Sequence, residues 1–213
     1  MKRWRLLLAD DHDIVIEGLR RILDHPDLEI VGVIKDGRAL LRAAEESQPD
    51  IIIADITMPL LNGIDAARQI RKCNPNVKIV FLTMHPDVTF ATEALAAGGS
   101  GYVLKNSAGD ELLTAIREAM KGRIYVTKSI AEAARHGLSS RSNTWRSPLD
   151  MLTSRQREVL QLLAEGLAVK EIAVKLNVSP RTVEFHKYRI MDELGLRTVA
   201  EMARYAARHG IVP

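Results

Sequence analysis

Two apolar periods alternate through residues 1–120. Short apolar runs at 5–9, 29–34, 51–54, 78–82 and 101–104 predict buried strands. Between them, amphipathic stretches at about 13–24, 37–47, 64–72, 87–96 and 109–120 predict helices. A short apolar run alone does not separate strand from helix, but the strict alternation and the Ile/Val content do. Five strands alternating with five helices predict an α/β fold, a doubly wound five-stranded parallel sheet of the flavodoxin-like kind.

The pattern breaks at 122–148, where Gly137-Leu138-Ser139-Ser140-Arg141-Ser142-Asn143 and Ser147-Pro148 predict a flexible linker. A short helix at about 130–135 fits within it. From Leu152 the period is purely helical. Thr153 with Gln156 is a capping-box signature, and Gly166 ends that helix. A second helix is expected at 169–176, then a turn at Asn177-Val178. Ser179 caps a third helix with Pro180 at its first position. Thr198 with Glu201 opens a fourth that runs to about residue 209. The division expected is thus 1–121, a linker at 122–148, and a small all-α domain at 149–213.

Charge separates the two halves. Residues 1–120 carry 14 Lys+Arg against 18 Asp+Glu, residues 121–148 carry 6 against 1, and residues 149–213 carry 10 against 8. An acidic front and a basic back predict different partners, the back half being compatible with nucleic acid. No apolar run approaches the ~20 residues that span a bilayer, and no secretory signal opens the chain, so a cytoplasmic location is expected. Cys73 is the only cysteine, which excludes an intramolecular disulfide or a thiolate zinc site; a small buried residue near a helix end is expected there.

In open parallel sheets, ligands sit beyond the carboxyl ends of the strands. The expected strands end at Asp10-Asp11, Asp55, Thr83 and Lys105. Carboxylates in the first turn repel a nucleotide phosphate that glycines and bare N–H groups would have welcomed. They suit Mg2+, which keeps several waters and shares a substrate phosphate. Asp11, Asp55 and the Thr57 carbonyl are the expected ligands, with Asp10 helping directly or through water. Asp55 is the expected carboxylate nucleophile toward a phosphoryl donor, and Lys105 the partner of the phosphoryl oxygens. Added phosphate brings about −1.5 to −2 of charge. Thr83 would turn toward it, and Tyr102 would be the aromatic whose exposure changes. His12 and His85 are expected as surface or loop residues. His85 and Thr57 would flank the path of attacking water and tune how long the acyl phosphate lasts.

In the helical domain, residues 170–176 and 180–194 form a helix-turn-helix whose second helix is placed to enter the major groove of duplex DNA. On a helical wheel Val183, Ile190 and Leu194 face the core, with Lys187 near them, while Arg181, Glu184, Phe185 and Tyr188 point away toward base edges. Lys170, Lys187, Arg189 and Arg197 suit phosphates, as do Thr182 and the N–H groups near Ser179. Glu184 in the middle of this face, and Phe185 with Tyr188 exposed together, would also fit a protein-binding bundle.

Residues 1–120 closely resemble the receiver domain of bacterial two-component response regulators. The motifs are Leu8-Ala9-Asp10-Asp11-His12, Asp55-Ile56-Thr57-Met58-Pro59 with Asn62-Gly63, Leu82-Thr83-Met84, and Gly101-Tyr102-Val103-Leu104-Lys105. Asn106 stands where many receivers have proline, as is common in the NarL/FixJ type. Residues 149–213 resemble the LuxR-type helix-turn-helix of that type, through Leu152 to Leu160, Lys170-Glu171-Ile172-Ala173, and Ser179 to Val183 with His186. The resemblance implies a transcription regulator rather than an enzyme, phosphorylated on Asp55 by a sensor histidine kinase. It also implies homodimers on DNA, seamed by the fourth helix through Val199, Met202, Ala203 and Ala206; the alternative for this stripe is core packing within one copy. A competing expectation is constitutive DNA binding, with the receiver serving only as a protein-docking module.

Overall fold

The structure is a computed structural model that describes residues 3–138 and 151–212. Its first part is a parallel sheet of β1 (Trp4–Ala9), β2 (Leu28–Ile34), β3 (Ile51–Ala54), β4 (Lys78–Thr83), β5 (Gly101–Leu104) and β6 (Tyr125–Val126). The strand order is β2-β1-β3-β4-β5-β6. Helices α1 (Asp13–Ile22), α2 (Gly37–Ser47), α3 (Gly63–Cys73), α4 (Val88–Ala96) and α5 (Ala108–Met120) cross between successive strands. Because β3 is covered on both faces, Ile51, Ile52, Ile53 and Ala54 are all buried, as continuous apolar strands of parallel sheets must be.

The five expected strands and helices are present, with a sixth strand added. Tyr125–Val126 pairs parallel to Gly101–Tyr102, inside the stretch expected to be linker. After it, α6 (Lys128–Leu138) packs against α4 and buries Ile130 in the same core as Phe81 and Tyr102. The short helix expected near 130–135 is therefore longer and docked on the sheet layer. The rest of the expected tether, 139–148, lies outside the described residues. Cys73 corrects an expectation: it is exposed, because it is the last residue of α3, one turn beyond Ile70, where the buried part of that helix ends.

The C-terminal helices are α7 (Ser154–Ala164), α8 (Val169–Leu176), α9 (Pro180–Leu194) and α10 (Val199–Arg208). The Thr153/Gln156 box closes in both directions, Gln156 N–H donating to Thr153 Oγ1 at 3.2 Å and Thr153 N–H to Gln156 Oε1 at 2.7 Å. Only half of the second box forms. Glu201 N–H donates to Thr198 Oγ1, but the Glu201 carboxylate accepts from Arg197 N–H. Asn177 takes a left-handed conformation (φ 51°) that turns the chain from α8 into α9, and Ser179 caps α9. Val159, Leu160, Ile172, Leu176, Val183, Ile190, Met202 and Ala206 form one buried cluster.

Candidate functional site: an acidic pocket, an exposed helix face and the seam between them

The strand ends bring their chemistry to one rim. Asp10, Asp11, His12 and Asp55 each offer an atom, all within 4.8 Å of one another. Lys105 Nζ lies 2.7 Å from Asp10 Oδ2 and 2.8 Å from Asp55 Oδ2. The contact to Asp55 is a hydrogen bond, whereas Asp10 Oδ2 accepts none despite its nearness to the ammonium. The buried Asp11 Oδ1 is in the same position, with His12 Nδ1 2.9 Å away. Two buried carboxylate oxygens lacking hydrogen bonds, beside a third carboxylate, form a donor set suited to a hard divalent cation. The residues present therefore fit a metal ion. His12 is a surface residue, as expected, with 59% of its side chain exposed, and its ring lies against Asp10 and Asp11 at the edge of the cluster.

Burial raises the pKa of Asp55, and the hydrogen bond from Lys105 only partly offsets it. Burial alone would lower Lys105, but its pairing with the Asp10 and Asp55 carboxylates prevails and raises it. The ammonium stays charged beside the acceptor carboxylate.

The loop from Asp55 to Gly63 is held by two glycines that leave no room for a side chain. A Cβ on Gly63 would stand 2.0 Å from the Asp55 carbonyl oxygen, and one on Gly37 1.8 Å from the Leu61 carbonyl oxygen. Thr57, in this loop, joins its Oγ1 to His85 Nε2 at 3.0 Å. His85 is half-buried, and burial lowers its pKa. Its N–H donates to Thr83 Oγ1, and its carbonyl accepts from the Tyr102 hydroxyl at 2.6 Å. Its ring stacks on Phe90 at 4.6 Å. Tyr102 is fully buried. His85 thus ties together three residues that the sequence marked separately: Thr57, Thr83 and Tyr102.

The other expected face is on α9. Val183 and Ile190 are buried, whereas Arg181, Glu184, Phe185, Tyr188 and Arg189 are exposed. Phe185 and Tyr188 keep 58% and 63% of their surface. Arg189 stands over the Phe185 ring and Lys187 over that of Tyr188, so the aromatics carry cations at their faces. Lys170 and Ser179 are exposed beside them, with Thr182 half-buried. Of the four seam residues on α10, Met202 and Ala206 are buried within this bundle, leaving Val199 exposed and Ala203 partly so.

The sequence reading missed the seam between the two parts. On α7, Gln161 and Arg157 are buried at 1% and 7% exposure, and Glu158 is buried beside them. All three meet the receiver, at the loop after Asp55 and at helices α2 and α3. Gln161 Nε2 donates to the Met58 carbonyl (2.8 Å), and its Oε1 accepts from Asn62 N–H (2.7 Å). Glu165 Oε1 accepts from Leu60 N–H. Arg157 Nε pairs with Asp65 at 2.8 Å. Glu158 accepts from Arg38 and Gln69. Past α10, Gly210 lies against Phe90 and His85, a Cβ there standing 2.7 Å from Phe90 and 3.3 Å from His85. The available signal was a polar stripe at 157, 158, 161 and 165, which reads as a solvent face by default.

Comparison with known proteins agrees with both halves. The family "Response regulator receiver domain" matches residues 6–117, and "Bacterial regulatory proteins, luxR family" matches 150–206. The oxygen regulatory protein NreC of Staphylococcus aureus is 37% identical over 210 residues, covering 96% of this chain and 97% of that protein. The response regulator GacA of Pseudomonas aeruginosa is 34% identical over 98% of this chain and 97% of its own. A solved structure of two RcsB dimers bound to two parallel DNAs aligns with a TM-score of 0.60 at 28% identity, over 97% of this chain and 98% of that one. An acidic rim of receiver type, joined to an exposed helix of helix-turn-helix type, defines a two-component response regulator. The chain belongs to the response regulators that pair a receiver domain with a LuxR-type DNA-binding domain. Among the described residues no helix is long and apolar enough to cross a membrane.

Proposed function

We propose that Asp55 accepts a phosphoryl group from a sensor histidine kinase in the cytoplasm and that this controls DNA binding by α9, and so transcription. The observation that carries the reading is Lys105 held between Asp10 and Asp55, beside carboxylate oxygens that accept no hydrogen bond. An Asp55 oxygen attacks the phosphorus, an acyl phosphate bond forms, and the bond to the donor's leaving group breaks. Lys105 then pairs with a phosphoryl oxygen in place of the carboxylate. Asp10, Asp11 and Asp55, with the Thr57 carbonyl, would hold Mg2+, which would neutralise the charge that gathers as carboxylate and phosphoryl oxygens meet. Thr83 turns toward the added oxygens, freeing the His85 N–H that it now accepts. The chemistry stops at this self-modification and its hydrolysis, so the protein is a switch and not a turnover enzyme.

On the DNA side, Arg181, Glu184, Phe185 and Tyr188 meet base edges. Lys170, Ser179, Thr182, Lys187 and Arg189 meet phosphates. Two copies read two half-sites, with Val199 and Ala203 as the α10 surface available between them. The domain division we propose keeps a receiver at 1–121 and a DNA-binding domain at 149–213, with β6 and α6 riding on the receiver.

Intact mass after incubation with Mg2+ and acetyl phosphate tests the acceptor. Wild type gains one phosphoryl group and Asp55→Asn gains none. Addition to neither, with both folded, removes the phosphoacceptor role and favours the docking-module reading. Equal DNA affinity of phosphorylated and unphosphorylated protein would favour it too.

A further inference from the structure

In this arrangement α7 is a wall between the receiver and the DNA-reading surface. One side of α7 gives Val159, Leu160 and Leu163 to the bundle core, where Val183 and Ile190 of α9 are also buried. The other side gives Arg157, Glu158, Gln161 and Glu165 to the receiver. The order is receiver, α7, α9, solvent. A helix with its side chains is about 10 Å across, so the receiver is held off the outward face of α9. That face remains open: Arg181, Glu184, Phe185, Tyr188 and Arg189 are exposed while the two parts are docked.

The separation also matters electrostatically. Residues 1–120 carry four more acidic than basic residues, a charge that would repel DNA phosphates at contact distance. One helix diameter is already more than the ~8 Å Debye length at physiological salt. The exposed cations at the reading face, Arg181 and Arg189, are on the far side of α7 from most of that charge.

We propose that this protein binds duplex DNA through α9 while α7 stays docked on its receiver, so that phosphorylation does not act by uncovering the base-reading helix. The inference rests on the DNA-binding reading above. A single half-site is then open to the unphosphorylated protein.

Hydrogen exchange on the full-length unphosphorylated chain tests this, with and without a saturating 20-base-pair duplex of mixed sequence at physiological salt. Peptides of α9 should gain protection while the peptide spanning 56–63 keeps its own. Loss of protection at 56–63 on adding DNA would show that the domains must separate, and would overturn the inference. No protection on α9 and no change in the anisotropy of the labelled duplex would remove DNA binding itself, and this inference with it. A variant that opens the seam gives a second arm. Arg38→Glu with Gln69→Glu sets two carboxylates against buried Glu158, away from the acidic rim and from α9. Its affinity for the duplex should stay within threefold of wild type. A tenfold or greater gain would mean that docking masks the reading face.

Discussion

Gln161→Ala should loosen the seam more than any other single truncation on α7 that leaves charge unchanged. The Gln161 amide is almost completely buried, and it satisfies two backbone groups of the receiver loop, the Met58 carbonyl and the Asn62 N–H. In the docked state of the variant both groups are left without a partner, and each costs about 1–3 kcal/mol when buried unsatisfied. When the domains part, water serves both groups and the penalty disappears. The docking equilibrium should therefore shift by about 2–6 kcal/mol toward separation, roughly 30-fold at the lower limit. The bundle keeps its own core, because Gln161 faces away from Val159 and Leu163. Hydrogen exchange of the peptide spanning 56–63 reads the shift directly, and the radius of gyration in solution scattering reads it globally. Unchanged exchange at Asn62 in a folded Gln161→Ala protein would refute the reasoning, since the amide bonded to Gln161 would then be protected by something else.

Gly37→Ala should destabilise by about 1–3 kcal/mol in urea melts, since its Cβ meets a backbone oxygen. Gly18→Ala, mid-helix with nothing within 4 Å, should instead stabilise by up to ~1 kcal/mol; equal effects would contradict the packing account. His85→Ala and Thr57→Ala should each hasten loss of the phosphoryl group, because the bridge between them flanks the approach to Asp55; an unchanged decay rate by intact mass removes that role. Burial lowers the pKa of His85, His186 and His209. The folded state binds fewer protons there than the unfolded chain. The stability they contribute is complete above about pH 6.5 and is lost as pH falls through their folded values. Urea midpoints should drop between pH 7.5 and 5.5, and a flat profile would show these rings to be as accessible as in the unfolded chain.

The alternation of periods made the sheet legible, and reading the residues at strand ends made Asp10, Asp11, Asp55, Thr83 and Lys105 legible as one set. Those signals survive because burial on both faces forces continuous apolar strands, and because the fold puts strand ends together whatever lies between. The two-residue strand Tyr125–Val126 has too few positions to show a period, and its pairing with β5 is decided by the sheet edge rather than by its own sequence. Cys73 looked buried because cysteine usually is and because it shares a helical face with Ala66 and Ile70, whereas its place as the last residue of α3 leaves it exposed. The α7 stripe was visible as polar but not as covered. A row of Arg, Glu and Gln is the same on paper whether it meets water or a second domain. His85 was legible beside Thr57, but its links to Thr83, Phe90 and Tyr102 were not, since those residues come together only in three dimensions.

The placement of Cys73 has a practical consequence. The chain has a single thiol, and it stands exposed at the end of α3, the helix that opens with the Asn62 cap and carries Asp65 to the seam. One fluorophore can therefore be attached at a unique position on the receiver without a background substitution. Energy transfer from it to a dye at the end of a bound duplex would follow, molecule by molecule, whether receiver and DNA keep a fixed separation or drift apart.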